Sequence, residues 1–198
     1  PDGIAYLPQR PYFFRGTARA NLELGLDDVE QSRAADLASE FGVSDRLDVA
    51  ARSLSGGERM RIALARTLAS DADTVLLDEP LAPLDHRDRE RTATTIAAAL
   101  HGRSAVIVSH DRASAAILGD AMAVVVDGQV RQRGRIADVF TTPIDDVVAG
   151  VVGISNVLSG VATNGDGALV QVDWQGRTIV AAGSQTSRER VKVLFGGE

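Results

Sequence analysis

The sequence predicts an α/β fold with a largely parallel sheet, followed by a small all-β C-terminal domain. Up to about Thr141, short apolar runs alternate with helical stretches. Strands of that kind share a parallel sheet and are expected to be covered by helices on both faces. From Asn156 onward β-branched residues alternate with polar ones, as in Val170-Gln171-Val172-Asp173-Trp174, and Asn164-Gly165-Asp166-Gly167 is a hairpin turn signal.

Each element has its own local reason. Ile4 to Leu7 reads as a short strand, and the prolines of Pro8-Gln9-Arg10-Pro11 forbid a helix after it. From Thr17 to Gly42 the pattern is helical. Asp27-Asp28 caps a helix whose apolar positions Val29, Ala34, Leu37, Ala38 and Phe41 recur at three-to-four spacing, and Gly42 closes it. Ser55 is a good N-cap, and Glu58 completes a capping box for a helix carrying Ile62, Ala63, Leu64 and Leu68. Thr74 to Leu77 is a strand-sized run bounded by Asp73 and Asp78. His86 to Leu100 is a helix, Ala105 to Ser109 a strand and Ala113 to Leu118 a helix. Ala121 to Val126 is a strand that Asp127-Gly128 turns into Gln129 to Arg133 as a hairpin. Ile144 to Gly150 forms one last helix before the β-rich tail.

Composition narrows the function classes. The chain has 198 residues, 44% of them hydrophobic, enough for one core and a small satellite domain. A net charge of −6 argues against a general nucleic-acid binder, which needs a basic excess. No apolar run is long enough to span a bilayer, and the first residues show no secretory signal. There are no cysteines, so disulfides and thiolate metal sites are excluded. The basic side chains are nearly all arginine, and Lys192 is the only lysine.

Several short patterns carry chemistry. Asp78-Glu79 ends the run Val75-Leu76-Leu77. A buried strand ending in two acids sets both carboxylates at the carboxyl edge of the sheet, where open α/β folds bind ligands. One can hold Mg²⁺ and the next can polarise a water for attack on a phosphate. Taken alone, the pair is an ordinary solvated strand end. Leu54-Ser55-Gly56-Gly57-Glu58 is more specific. Two glycines inside a helix entrance weaken the helix by about 1 kcal/mol each relative to alanine. They make sense where a ligand must come close to bare backbone, and the N–H groups, the helix dipole and the Ser55 hydroxyl suit a phosphate. His110, after another short strand, can donate to a phosphate oxygen. Gln9 could reach a metal or an attacking water, though by itself it is uninformative.

Taken in order, Gln9, the helix entrance Leu54 to Glu58, the acidic strand end Val75 to Glu79, Ala82-Pro83-Leu84-Asp85 and His110 resemble the ABC ATPase family from about Ile4 to Pro143. Gln9 matches the Q-loop, Leu54 to Glu58 the signature sequence, Val75 to Glu79 the Walker B strand, Asp85 the D-loop aspartate and His110 the switch histidine. Leu77 to Asp85, Ser109-His110-Asp111-Arg112 and the stretch from Asp127 to Pro143 look especially like importer subunits. The resemblance implies a P-loop NTPase-like sheet with a helical signature subdomain at about residues 17–70, within an ATPase domain at 1–143. A linker at 144–155 and a partial β accessory domain at 156–198, similar to the TOBE/MOP type, follow. It also implies ATP and Mg²⁺ as ligands and a head-to-tail pair of ATPase domains. Asp78 then serves Mg²⁺, Glu79 positions or deprotonates the attacking water, Gln9 contacts Mg²⁺ and the transport domain, and His110 contacts the γ-phosphate. Ser55, Gly56, Gly57 and Glu58 form the signature site for the opposite ATP, and Asp85 helps join the two sites. The family often has Gln where this chain has Glu58, and Met60 is a further departure.

The family's phosphate-binding loop, G-x-x-x-x-G-K-[ST], is absent from these residues, and Lys192 lies in no such pattern. The resemblance therefore implies a chain cut before that loop, or a natural variant that has lost it. These residues alone are expected to bind ATP weakly and not to hydrolyse it. The complete protein is expected to power import across the cytoplasmic membrane as a peripheral subunit on its cytoplasmic face. Its partners would be transmembrane permease subunits rather than nucleic acid. An oxyanion such as molybdate is the expected cargo, from the type of tail. The tail's strand or core positions are Val161, Val170, Val172, Ile179, Val191 and Val193. The competing reading is a non-catalytic partner, or a ligand-sensing or dimerisation module.

Overall fold

The computed structural model describes residues 3–154, 156–165, 169–183 and 190–195. The chain forms two compact units, Pro1–Asp120 and Ala121–Glu198. In the first, strands β1 (Ile4–Leu7), β2 (Thr74–Asp78) and β3 (Ser104–Val108) make a parallel sheet with β2 in the centre. The helices are α1 (Ala18–Leu22), α2 (Asp28–Glu40), α3 (Gly56–Ala69), α4 (His86–Ala99) and α5 (Arg112–Leu118).

Helix starts follow the caps. Thr17 caps α1, and Asp27 with Glu30 forms a capping box on α2. Gly42 takes a left-handed φ of +68° just past the end of α2, where a side chain would be strained. Buried Asn21 accepts from the Phe14 amide at 2.7 Å and donates to the Phe14 and Thr17 carbonyls, which pins the loop after β1 to α1. One core gathers Leu7, Val75 and Leu77 from the strands with Leu22, Ile62, Leu64 and Ile96 from the helices.

Strand alternation exposes the other side of this sheet. Ala5, Leu7, Val75 and Leu77 turn inward, whereas Ile4, Tyr6, Val106 and Val108 are exposed. The expectation of cover on both faces is therefore corrected: among the described residues the helices pack on one face. The other holds a groove of about 230 Å³ lined by Tyr6, Leu76, Leu77, Asp78, Val106 and Val108.

In the second unit, β4 (Ala121–Val126) and β5 (Gln129–Arg135) form an antiparallel hairpin. Asp127 and Gly128 both have positive φ, as a two-residue hairpin turn requires. Helices α6 (Ile136–Thr141) and α7 (Asp146–Val151) follow. Val124, Val139, Val148, Ala149, Val152 and Ile154 close a small core of their own. The hairpin thus shares its core with α6 and α7.

The remaining strands, β6 (Asn156–Gly165), β7 (Leu169–Trp174), β8 (Arg177–Ala182) and β9 (Arg190–Phe195), form an antiparallel sheet in the order β8-β7-β6-β9. Val170 and Val172 are buried with Ala162, Ile179 is half-buried, and Val161 lies in a strand but faces outward. Asp166 and Gly167 of the expected turn lie outside the described residues, and Val191 and Val193 are described only as positions in β9.

Candidate functional site

Parallel pairing aligns the carboxyl ends of three strands. Leu7 pairs with Leu77, Leu77 with Ile107 and Asp78 with Val108. The residues just beyond these pairs are Gln9 after β1, Glu79 after β2, and Ser109 and His110 after β3. All come off the same edge of the sheet, the position at which open α/β folds take ligands.

Glu79 is held there by backbone. Its N–H donates to the Val108 carbonyl at 2.9 Å, and its φ of +48° lies in the left-handed region. That turn sends the side chain to His110, whose Nδ1 stands 2.8 Å from Glu79 Oε1. The contact sets a ring nitrogen against a carboxylate oxygen at the strand edge. The carboxylate is nearly buried, with 13% of the side chain exposed, whereas the imidazole is 76% exposed. A ligand arriving at the edge meets the ring first. Asp78 is half-buried at the end of β2 and lines the groove on the open face. Gln9 is exposed in its loop, which also presents an edge-to-face pair of exposed aromatics, Tyr12 and Phe14, with centroids 4.9 Å apart. The structure brings Asp78, Glu79 and His110 together and carries Gln9 on the same edge.

The second set of residues opens α3. Ser55 is the N-cap: its Oγ accepts from the Glu58 amide at 3.2 Å, while Glu58 Oε2 accepts from the Ser55 amide at 2.8 Å. Glu58 also pairs with Arg46 at 2.8 Å. The Ser55 backbone N–H holds the Glu58 carboxyl below its ordinary range. Glu58 therefore shapes the entrance with its side chain committed within the protein. The amides of Gly56 and Gly57 have no acceptor inside the helix, as the first turn dictates, and both residues are at the surface or half-buried. They meet the loop after β2. A Cβ on Gly57 would stand 3.3 Å from Leu84 Cδ2, and one on Gly56 would stand 3.9 Å from Pro83 Cβ.

That loop continues into Asp85, whose Oδ1 caps α4 by accepting from the Asp88 amide at 2.9 Å. Asp88 in turn pairs with Arg61 on α3. The chain from Leu81 to Asp88 thus lies between the strand edge and the helix entrance. Among the described residues no hydrogen bond or ion pair joins Asp78, Glu79 or His110 to Ser55, Gly56 or Gly57. The two sets differ in chemistry: acid and imidazole in one, bare N–H groups in the other.

Sequence reasoning did not single out the arginines that fasten these surfaces, Arg46, Arg61 and Arg103. The near-total preference for arginine over lysine was the available signal, since a guanidinium can hold several acceptors at once. It also missed the packing reason for Gly57, which depends on a loop distant in sequence.

Comparison with known proteins places these features in context. Residues 1–82 match the family model described as ABC transporter. The chain is 35% identical over 154 residues, 77% of its length, to a spermidine/putrescine import ATP-binding protein of Thermobifida fusca, of which 40% is covered. It is 33% identical to a molybdate/tungstate import ATP-binding protein of Pyrococcus abyssi, with 80% of this chain and 49% of that protein covered. An Fe(3+) ions import ATP-binding protein of Agrobacterium fabrum is 31% identical over 98% of this chain and 53% of its own. The chain thus spans about half the length of the curated relatives it matches. In fold it is similar to a bacterial Atm1-family ABC exporter with ATP bound, with a TM-score of 0.67, 24% identity and coverage of 75% of this chain and 28% of the other.

Proposed function

The chain belongs to the ABC transporter family of ATP-binding proteins, and from that premise we propose that it is the ATP-hydrolysing part of an importer, working as a head-to-tail pair. The observation that carries this reading is the Glu79–His110 contact at the strand edge, next to Asp78, on a surface separate from the Ser55-Gly56-Gly57 entrance. An acid and an imidazole in such close contact can orient a water and sense a γ-phosphate together. A helix entrance that makes no bond to them within its own unit is available to a second copy's nucleotide.

In this reading Glu79 positions the attacking water, His110 meets the γ-phosphate, and Gln9 lies at the rim of the edge. Ser55 and the amides of Gly56 and Gly57 close over the partner's ATP, and Asp85 sits where the two sites approach. Mg²⁺ fits the residues present: Asp78 stands half-buried at the strand end, and an ion that arrives with a nucleotide asks for only one or two carboxylates. Asp78 would supply one. Such an ion would neutralise phosphate charge, with the protein orienting the groups around it.

No helix among the described residues is long and apolar enough to cross a membrane. The exposed aromatics Tyr12 and Phe14, in the same loop as Gln9, offer a surface on which a permease subunit could rest, at the cytoplasmic face of the membrane. For cargo, the molybdate/tungstate relative supports an oxyanion such as molybdate. Uptake of labelled molybdate, compared with spermidine and ferric iron, by cells with and without the gene tests that choice.

The shared site is tested by mixing two inactive variants of the full-length chain, Ser55→Ala and Glu79→Gln. A mixed pair has one site with both halves intact. Random pairing should restore roughly a quarter of the wild-type rate of Mg²⁺-dependent ATP hydrolysis. No recovery on mixing, with both variants folded, would overturn the head-to-tail reading.

A further inference from the structure

Arg103 lies in the turn between α4 and β3 and makes more hydrogen bonds than the position suggests. Its Nη1 donates to the Leu68 carbonyl at 2.9 Å, and its Nη2 to the carbonyls of Ser70 at 2.9 Å and Ala72 at 2.7 Å. Its Nε donates to Ala72 as well, at 3.1 Å. Leu68 is in the last turn of α3, Ser70 is its C-cap, and Ala72 is in the connection that becomes β2. One guanidinium therefore satisfies carbonyls that a helix end leaves orphaned, and it places a cation at the negative end of the α3 dipole. The following residue, Ser104, begins β3.

The same connection is gripped from its other side. Glu30 on α2 accepts from the Asp71 amide at 2.9 Å, and Arg33 pairs with the Asp71 carboxylate at 2.7 Å. Residues 70–73 are thus a joint at which α2, α3, β2 and β3 meet. From it, α3 runs to Ser55 and Gly57, β2 to Asp78 and Glu79, and β3 to His110.

We propose that Arg103 is a positioning residue, a clasp that fixes the angle at which α3 leaves the joint and so sets where its phosphate-contacting entrance stands relative to the catalytic strand edge. The proposal rests on the reading of α3 as the helix that meets the partner's nucleotide. Fourteen residues make α3 a lever about 21 Å long. A swing of about 5° at the clasped end moves the entrance by about 1.8 Å. That exceeds the tolerance of a hydrogen bond to a phosphate oxygen, and misplacement by about 1 Å can cost about 100-fold in rate. Nucleotide held by the strand edge of the same copy does not depend on that angle; hydrolysis in the closed pair does.

The test uses the full-length chain with Arg103→Gln and Arg103→Lys, Ser55→Ala as reference, and three measurements: unfolding temperature, affinity for a fluorescent ATP analogue without Mg²⁺, and steady-state hydrolysis. Arg103→Gln should leave analogue affinity within about twofold and lower kcat by about 10- to 100-fold. Arg103→Lys, which keeps the charge but cannot span the same carbonyls, should recover part of the loss. If Arg103→Gln does not fold, Arg103→Lys alone carries the test on the same readouts, with a smaller fall in kcat expected. Wild-type kcat in the folded variants, or a loss of analogue binding equal to the loss of kcat, overturns the clasp. Full hydrolysis by Ser55→Ala sinks the underlying reading of α3; its loss beside intact Arg103 variants sinks the clasp alone.

Discussion

Replacing Gly57 with alanine separates the two reasons for a glycine at that position. The added methyl would lie 3.3 Å from Leu84 Cδ2 and 3.6 Å from the Pro83 carbonyl oxygen. The first distance is slightly inside ordinary contact, and the Leu84 tip can yield by a few tenths of an ångström, at about 1 kcal/mol. Against that, alanine stabilises a helix by about 1 kcal/mol relative to glycine. The two nearly cancel, so Tm in the full-length chain should stay within about 4 °C of wild type. Activity should not survive in the same way. The methyl stands on backbone that a phosphate must approach. Loss of such preorganised donors typically costs about 100-fold or more in kcat. Differential scanning calorimetry and a phosphate-release assay on one preparation give both numbers. If Gly57→Ala is folded and hydrolyses within threefold of wild type, the bare-backbone argument fails. If Tm falls by more than about 10 °C, Leu84 cannot yield and the packing estimate is wrong.

Three further outcomes are expected. His110→Ala removes the partner of Glu79 Oε1 and should lower kcat by about 100-fold or more while leaving Tm close to wild type, because the ring is mostly exposed; wild-type kcat would count against the acid–imidazole pair. Asp85→Ala removes the cap on α4 and should cost about 1 kcal/mol in urea unfolding, an effect that Asp85→Asn should largely avoid. The depressed Glu58 carboxyl contributes stability above its ordinary value of 4.5 that is lost as pH falls through the lower folded value. Glu58→Gln should therefore unfold at lower urea than wild type at neutral pH, with the gap closing as pH falls below 4.5; a gap independent of pH would rule out the charge as its source.

The elements with strong local chemistry were readable from residues alone. Asp27 with Glu30, and Ser55 with Glu58, start α2 and α3 as capping boxes, and Asp127-Gly128 turns the β4–β5 hairpin. Helix α6 was not readable, because its N-cap is Arg135 with no side-chain hydrogen bond and its run is short. Burial on both sheet faces was inferred from apolar strands alternating with helices, but that order does not say which neighbours lie on each face. The strand-end residues Asp78, Glu79 and His110 could be singled out by type. Their contact could not, since it depends on β2 pairing with β3 and on the reversed turn at Glu79. Glu58 shows the converse: its spacing announced a cap, and the cap accounts for its side chain.

The left-handed backbone at Glu79 also bears on how this protein should be engineered. A glutamate in that conformation costs on the order of 1 kcal/mol, which glycine, asparagine or aspartate would reduce. A library sorted only for heat resistance would therefore enrich replacements there and, with Glu79 in its proposed role, its winners would be robust proteins that no longer turn over nucleotide. Selection schemes for this chain need a turnover step in every round, or the most rewarded substitution will be one that silences it.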